Sequence, residues 1–153
     1  MNIKKDVLFI SRSDAFNLNN IVEFLSNNYN VTKIVKNRNK KLSKEDIAWE
    51  GDYIFSYLCP WVLSSELINN AKIAAINFHP GPPAYPGTGC YNFAIYNQEK
   101  EYGVTCHHLA ASVDTGDIIS VKKFPLLKHD SVSELINRTY TYLNLLFYEI
   151  ILE

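Results

Sequence analysis

The sequence predicts an α/β fold: a Rossmann-like, open, twisted and mostly parallel sheet with helices on both faces. Three observations predict it. Val7 to Ile10 is apolar without interruption, as a strand buried on both faces must be. A polar turn and a segment of helical spacing follow, which makes a βα unit. Ile73 to Phe78 is a second apolar run, and it leads into His-Pro-Gly-Pro-Pro-Ala-Tyr-Pro-Gly, a segment too rich in proline and glycine to continue as helix or central strand. The chain therefore changes direction just after His79, at the strand's carboxyl end, where open α/β sheets hold their ligands.

With 153 residues, 47% of them hydrophobic, the chain is expected to fold as one catalytic-sized domain, 1–153, with a core that needs no staples. A formal net charge of −1 gives no bulk attraction to nucleic acid or to an anionic membrane. Cys59, Cys90 and Cys106 cannot all pair and form no Cys-x-x-Cys motif, which fits a reducing cytoplasm. The amino terminus has no long apolar run with a cleavage site, and no stretch is long enough to span a bilayer.

In chain order, Val7 to Ile10 is the first strand and Ser11-Arg12-Ser13-Asp14 its turn. Phe16 to Leu25 has helical spacing, with Asp14 as the expected cap. The turn lacks the glycines of a phosphate-cradling loop, so a phosphate held here would rest on Arg12, the serine hydroxyls and the helix amino end. An ordinary strand-to-helix connection is the simpler reading. Val31 to Val35 is the second strand. Five cations between Lys33 and Lys41 read first as a solvated loop and second as an anion-attracting rim. Ser43 to Asp46 starts a short helix through Trp49, Gly51-Asp52 ends it, and Tyr53 to Leu58 is the third strand, stopped by Pro60. Ser64 and Ser65 cap a helical turn before the Ile73 strand.

Beyond the proline-rich loop, Tyr91 to Tyr96 reads as a short helix and Glu99-Lys100-Glu101 as a turn. Gly103 to Leu109 is a strand, with Thr105, His107 and Leu109 on the face opposite Val104, Cys106 and His108. Adjacent His107 and His108 diverge, and no ligand spacing nearby suggests a metal. Asp114-Thr-Gly-Asp117 turns the chain into a last strand, Ile118 to Phe124. Ser131 and Glu134 mark the start of a final helix whose apolar stripe, from Leu135 to Ile151, covers the core and leaves room for a homodimer contact.

Asn77 and His79 are two apart, so on one strand both side chains share a face. An amide donates to developing negative charge and an imidazole donates or accepts a proton, so together they can hold and polarise a carbonyl. The alternative is that they only tie down the loop that follows.

Asn77-Phe-His79-Pro, taken with Gly103-Val-Thr105 and Val113-Asp114-Thr-Gly116, resembles the signature of the folate-dependent formyltransferases over roughly Tyr53 to Phe124. The loop text from His79 to Tyr96 looks most like the branch acting on nucleotide sugars. The resemblance implies 10-formyltetrahydrofolate as formyl donor, no metal, and a nucleotide-linked acceptor, commonly a dTDP-4-amino-4,6-dideoxyhexose. It implies that Asn77 binds the formyl oxygen, that His79 assists the oxyanion and its proton traffic, and that Asp114 accepts the amine's proton or orients the imidazole. It places the pterin against Trp61, Val62 and Leu63 and against Ala110 to Val113, largely through backbone groups. Tyr85 and Tyr91 are candidates to contact sugar or base, with Ser11 and Arg12 near the diphosphate.

The sequence departs from the family pattern by one βα unit before Tyr53 and by the lack of a segment after the last helix. Both departures disfavour methionyl-tRNA as acceptor, and the absent glycine turn disfavours a glycinamide ribonucleotide grip. Two alternatives remain: a formyltetrahydrofolate hydrolase using the same trio, and an inactive nucleotide-sugar-binding module.

Overall fold

The computed structural model describes residues 3–88 and 90–153. Its strands hydrogen-bond in the order β2-β1-β3-β4-β5-β6 in one six-stranded mixed sheet. The chain divides into two compact units, one reaching to Asn77 and including His108–Ala111, the other formed by Phe78–His107 and Ser112–Glu153.

In the first unit, β1 (Asp6–Arg12) lies between β2 (Asn30–Lys36) and β3 (Gly51–Tyr57), parallel to both. Val7, Leu8, Phe9 and Ile10 are fully buried, the burial that an uninterrupted apolar run between two parallel neighbours requires. The strand runs two residues past the expected end. Ser11 and Arg12 are ladder residues rather than turn, paired with Val35 and Lys36 of β2.

Helix α1 (Leu18–Asn28) also corrects the sequence reading, because it begins after Phe16 and is not capped by Asp14. Asn17 is its N-cap, with φ 58° and no side-chain cap hydrogen bond. The Asp14 carboxylate is instead taken by Arg12 Nε at 3.2 Å and Arg38 at 3.3 Å. An ion pair with two guanidinium groups competes successfully with a cap here. Ile21 and Leu25, four apart, are the buried face of the helix.

Ser43 and Asp46 form a reciprocal capping box at α2 (Lys44–Ile47), which ends before Trp49. Gly51 opens β3 instead of closing that helix, and a Cβ at this position would collide with the Trp49 ring, which would have to shift. Ser64 caps α3 (Ser65–Asn69) through the Leu67 amide. Leu8, Ile10, Ile34, Ile54, Leu63 and Leu67 belong to one buried cluster of this unit.

Strand β4 (Ala71–His79) carries the chain from the first unit into the second, with the division after Asn77. The second unit holds α4 (Cys90–Tyr96), β5 (Glu101–His108), β6 (Ile118–Pro125) and α5 (Val132–Leu152). β5 starts at Glu101, which the sequence reading assigned to a turn, and pairs antiparallel with β6. Its register shifts between Cys106 and His107, so strict alternation does not carry through this point.

Helix α5 opens with the expected Ser131–Glu134 capping box and buries Leu135, Leu143, Leu146 and Phe147. Thr139 lies in the same stripe, its hydroxyl satisfied by donating to the Leu135 carbonyl at 2.7 Å. Phe147 packs on Phe78 with ring centroids 4.8 Å apart, and Tyr142 stacks on Phe124 at 4.5 Å.

Candidate active site

The second unit gathers its polar groups around the Asp114 carboxylate. Asp114 has φ 52°, a left-handed conformation that Asp tolerates better than most residues. One carboxylate oxygen, Oδ2, accepts the Gly87 amide at 2.8 Å and lies 3.3 Å from His79 Nδ1. The other, Oδ1, lies 3.1 Å from His107 Nε2. Burial pushes the Asp114 carboxyl up, but the hydrogen bond from His107, the His79 ring and the Gly87 amide together outweigh it. Its pKa ends below the ordinary 3.8, so the group is a carboxylate.

His79 is the last residue of β4 and is buried. Its Nδ1 faces the carboxylate, and its Nε2 stands 2.9 Å from the Tyr85 carbonyl.

The proline-rich loop is tied down at several points. Thr105 donates its hydroxyl to the Gly81 carbonyl at 2.8 Å, and the Cys90 thiol lies 3.0 Å from the Tyr85 carbonyl and 3.2 Å from that of Gly87. Burial pushes the Cys90 thiol up, so its proton remains available to donate. A Cβ on Gly81 would stand 2.6 Å from His79 Nε2, so the imidazole occupies the space that a side chain would need. Gly89 of this loop lies outside the described residues.

His107 was missed as a site residue by the sequence reading, which considered it only as a metal ligand. The available signal was its position two after Thr105 on the strand leading to Asp114. The pairing itself depends on the left-handed turn at Asp114, which no periodicity encodes.

The remaining sequence-derived candidates divide by burial and by partner. Asn77 precedes His79 by two residues on β4 and is half-buried. Tyr85 donates its hydroxyl to Glu99 at 2.7 Å and accepts from Asn97 at 3.0 Å, and Tyr91 packs on Tyr102 with centroids 5.7 Å apart. These contacts brace the loop and α4. Ser11 is 0% exposed, which withdraws its hydroxyl from any surface ligand. Arg12 is engaged by Asp14.

Of the first proposed donor loop, Leu63 is a core residue at 5% exposure and Trp61 is partly buried, whereas Val62 is 69% exposed. Ala110 is half-buried and Val113 is 53% exposed. Val62 thus leaves apolar surface uncovered in the first unit, and Val113 does so in the second.

A family model described as formyl transferase matches residues 5–150, and the chain belongs to that family. Among curated relatives, the methionyl-tRNA formyltransferase of Pediococcus pentosaceus is 33% identical over 95 residues, 61% of this chain and 30% of that protein. Among solved structures, a sugar N-formyltransferase from a Shewanella species is 25% identical, with a TM-score of 0.70, over 92% of this chain and 66% of that one. An N-formyltransferase from Helicobacter canadensis, solved with folinic acid and dTDP-3-aminofucose, shares the fold at a TM-score of 0.77 and 22% identity, over 97% of this chain and 62% of that one. The chain therefore spans less than a third of the curated relative and about two thirds of the sugar N-formyltransferases.

Proposed function

We propose that this chain transfers the formyl group of 10-formyltetrahydrofolate to the amine of a nucleotide-linked sugar, a dTDP-4-amino-4,6-dideoxyhexose being the preferred acceptor. The observation that carries the reading is the 3.3 Å approach of the Asp114 carboxylate to the His79 imidazole, in a chain of the formyl transferase family. In this reading the acceptor nitrogen bonds to the formyl carbon and the carbonyl electron pair moves onto oxygen. The Asn77 amide donates to that oxygen, and His79 Nε2 exchanges its contact with the Tyr85 carbonyl for one to the same oxygen. Asp114 keeps His79 oriented and provides the negative charge that favours loss of the amine's proton. The bond from the formyl carbon to N10 then breaks and N10 takes a proton, leaving a formamide and tetrahydrofolate.

The exposed Val62 side chain fits a donor with an aromatic body. The sugar acceptor is favoured by the His79–Tyr96 text and by the likeness to the Shewanella enzyme. A product of this kind belongs to glycan assembly, with the acceptor made by an aminotransferase-type reaction.

Incubation with 10-formyltetrahydrofolate and a panel of acceptors, followed by mass spectrometry, tests the proposal. The panel holds dTDP- and UDP-linked 3- and 4-amino sugars and methionyl-tRNA. A formyl mass gain on a dTDP-4-amino sugar is expected. Gain on methionyl-tRNA alone replaces the acceptor, formate without a formylated product makes the protein a hydrolase, and no turnover makes it a binding module.

A further inference from the structure

The Tyr85 carbonyl oxygen is shared between two side chains. His79 Nε2 stands 2.9 Å from it, and the Sγ of Cys90, the first residue of α4, stands 3.0 Å from it. A Cβ on Gly81 would lie 3.1 Å from the same oxygen, so the loop packs closely around it. The thiol has a second acceptor within reach, the Gly87 carbonyl at 3.2 Å, and the amide of that same Gly87 donates to Asp114 at 2.8 Å. Cys90 therefore touches both of the loop residues that contact His79 and Asp114. Its side chain is 5% exposed and steadied by the Tyr102 hydroxyl, which lies against the sulfur. A thiol carries one proton, so at any moment it serves one carbonyl.

In the transfer described above, His79 Nε2 leaves the Tyr85 carbonyl for the formyl oxygen. An enclosed carbonyl left without a donor opposes that move. We propose that Cys90 is a positioning residue that makes the exchange favourable: its S–H turns from the Gly87 carbonyl to the Tyr85 carbonyl as the imidazole departs, and turns back when the imidazole returns. Gly87 is partly exposed, so water can take over its carbonyl meanwhile. The thiol keeps its proton throughout and forms no bond to substrate. The inference rests on the formyl-transfer reading and deepens it by naming the group that replaces His79 at the loop.

The test compares Cys90→Ala with Cys90→Ser in steady-state kinetics with 10-formyltetrahydrofolate and the accepted acceptor, beside melting curves of both. The two variants lose the same sulfur, but only serine can donate. Cys90→Ala should lower kcat about five- to tenfold with KM within about twofold, and Cys90→Ser should recover most of that loss although it melts no higher than Cys90→Ala. A spectroscopic arm needs no turnover. The thiol stretch of Cys90, the infrared band that Cys90→Ser removes, should move to lower wavenumber in His79→Leu, where the Tyr85 carbonyl has lost its imidazole and draws the thiol more strongly. Full activity in Cys90→Ala, an equal loss in both Cys90 variants, or a thiol stretch that stays in place in His79→Leu overturns the proposal and leaves the formyl-transfer reading intact. A wild-type chain that formylates no acceptor and releases no formate overturns both, since His79 then has no exchange to make.

Discussion

At the scale of single residues, the candidate site is built on how Asp114 is held. Three nitrogens face its carboxylate, the Gly87 amide and one ring nitrogen each of His79 and His107. A carboxyl whose folded-state pKa lies below its unfolded value adds stability that is complete above the unfolded value and is lost as pH falls through the folded one. Asp114→Asn should therefore lower the melting temperature by a constant amount above about pH 5, and the difference should narrow below about pH 4. Melting curves from pH 3 to pH 8 check this. The choice of Asn leaves the left-handed backbone at φ 52° accessible. Asn77→Ala is expected to cut turnover by about 10²–10³ with a much smaller change in KM, the pattern of a donor that acts on charge developed during reaction. Steady-state kinetics with the accepted sugar measure both constants. Asn77 and His79 could be singled out in the sequence by residue type and spacing, whereas Asp114, alone a turn former, stood out only through the resemblance to the family. His107 could not, because its role depends on which carboxylate the fold brings to it.

At the scale of elements, the capping boxes were legible and the turns were not. Ser131 and Glu134 satisfy each other's backbone amides locally, so three intervening positions are enough to announce the helix. Ser131→Ala should cost about 1 kcal/mol, a few degrees in melting temperature, without changing the acceptor range. Asp14 looked like a cap by the same logic, but its carboxylate is engaged by two arginines, one of them on a different segment. The proline-rich loop is the other element whose form follows from contacts distant in sequence. Its Gly81 faces the His79 ring so closely that an added methyl would stand 2.6 Å from Nε2, and Gly81→Ala should push the imidazole from its place. The expected result is a loss of turnover out of proportion to any fall in melting temperature, measured side by side on the same preparation.

At the scale of the whole molecule, stability rests on buried apolar clusters, which among the described residues include one around β1 and α3 and one joining α4, β5, β6 and α5. Phe147 is fully buried against Phe78, so Phe147→Ala should cost about 3–5 kcal/mol, a large part of the ~5–15 kcal/mol available to a domain. Urea unfolding followed by circular dichroism reads that loss. The sequence alone determined the α/β class, nearly every strand and helix, and the family, because apolar periodicity, capping pairs and motif text are all written in neighbouring residues. Only the tertiary structure decided that Ser11 and Leu63 belong to the interior, that His107 joins His79 at one carboxylate, and that Lys36 pairs with Asp46 and Arg38 with Asp14. Those outcomes depend on which distant segment arrives opposite each side chain, and burial and charge pairing are properties of that arrival rather than of the residue.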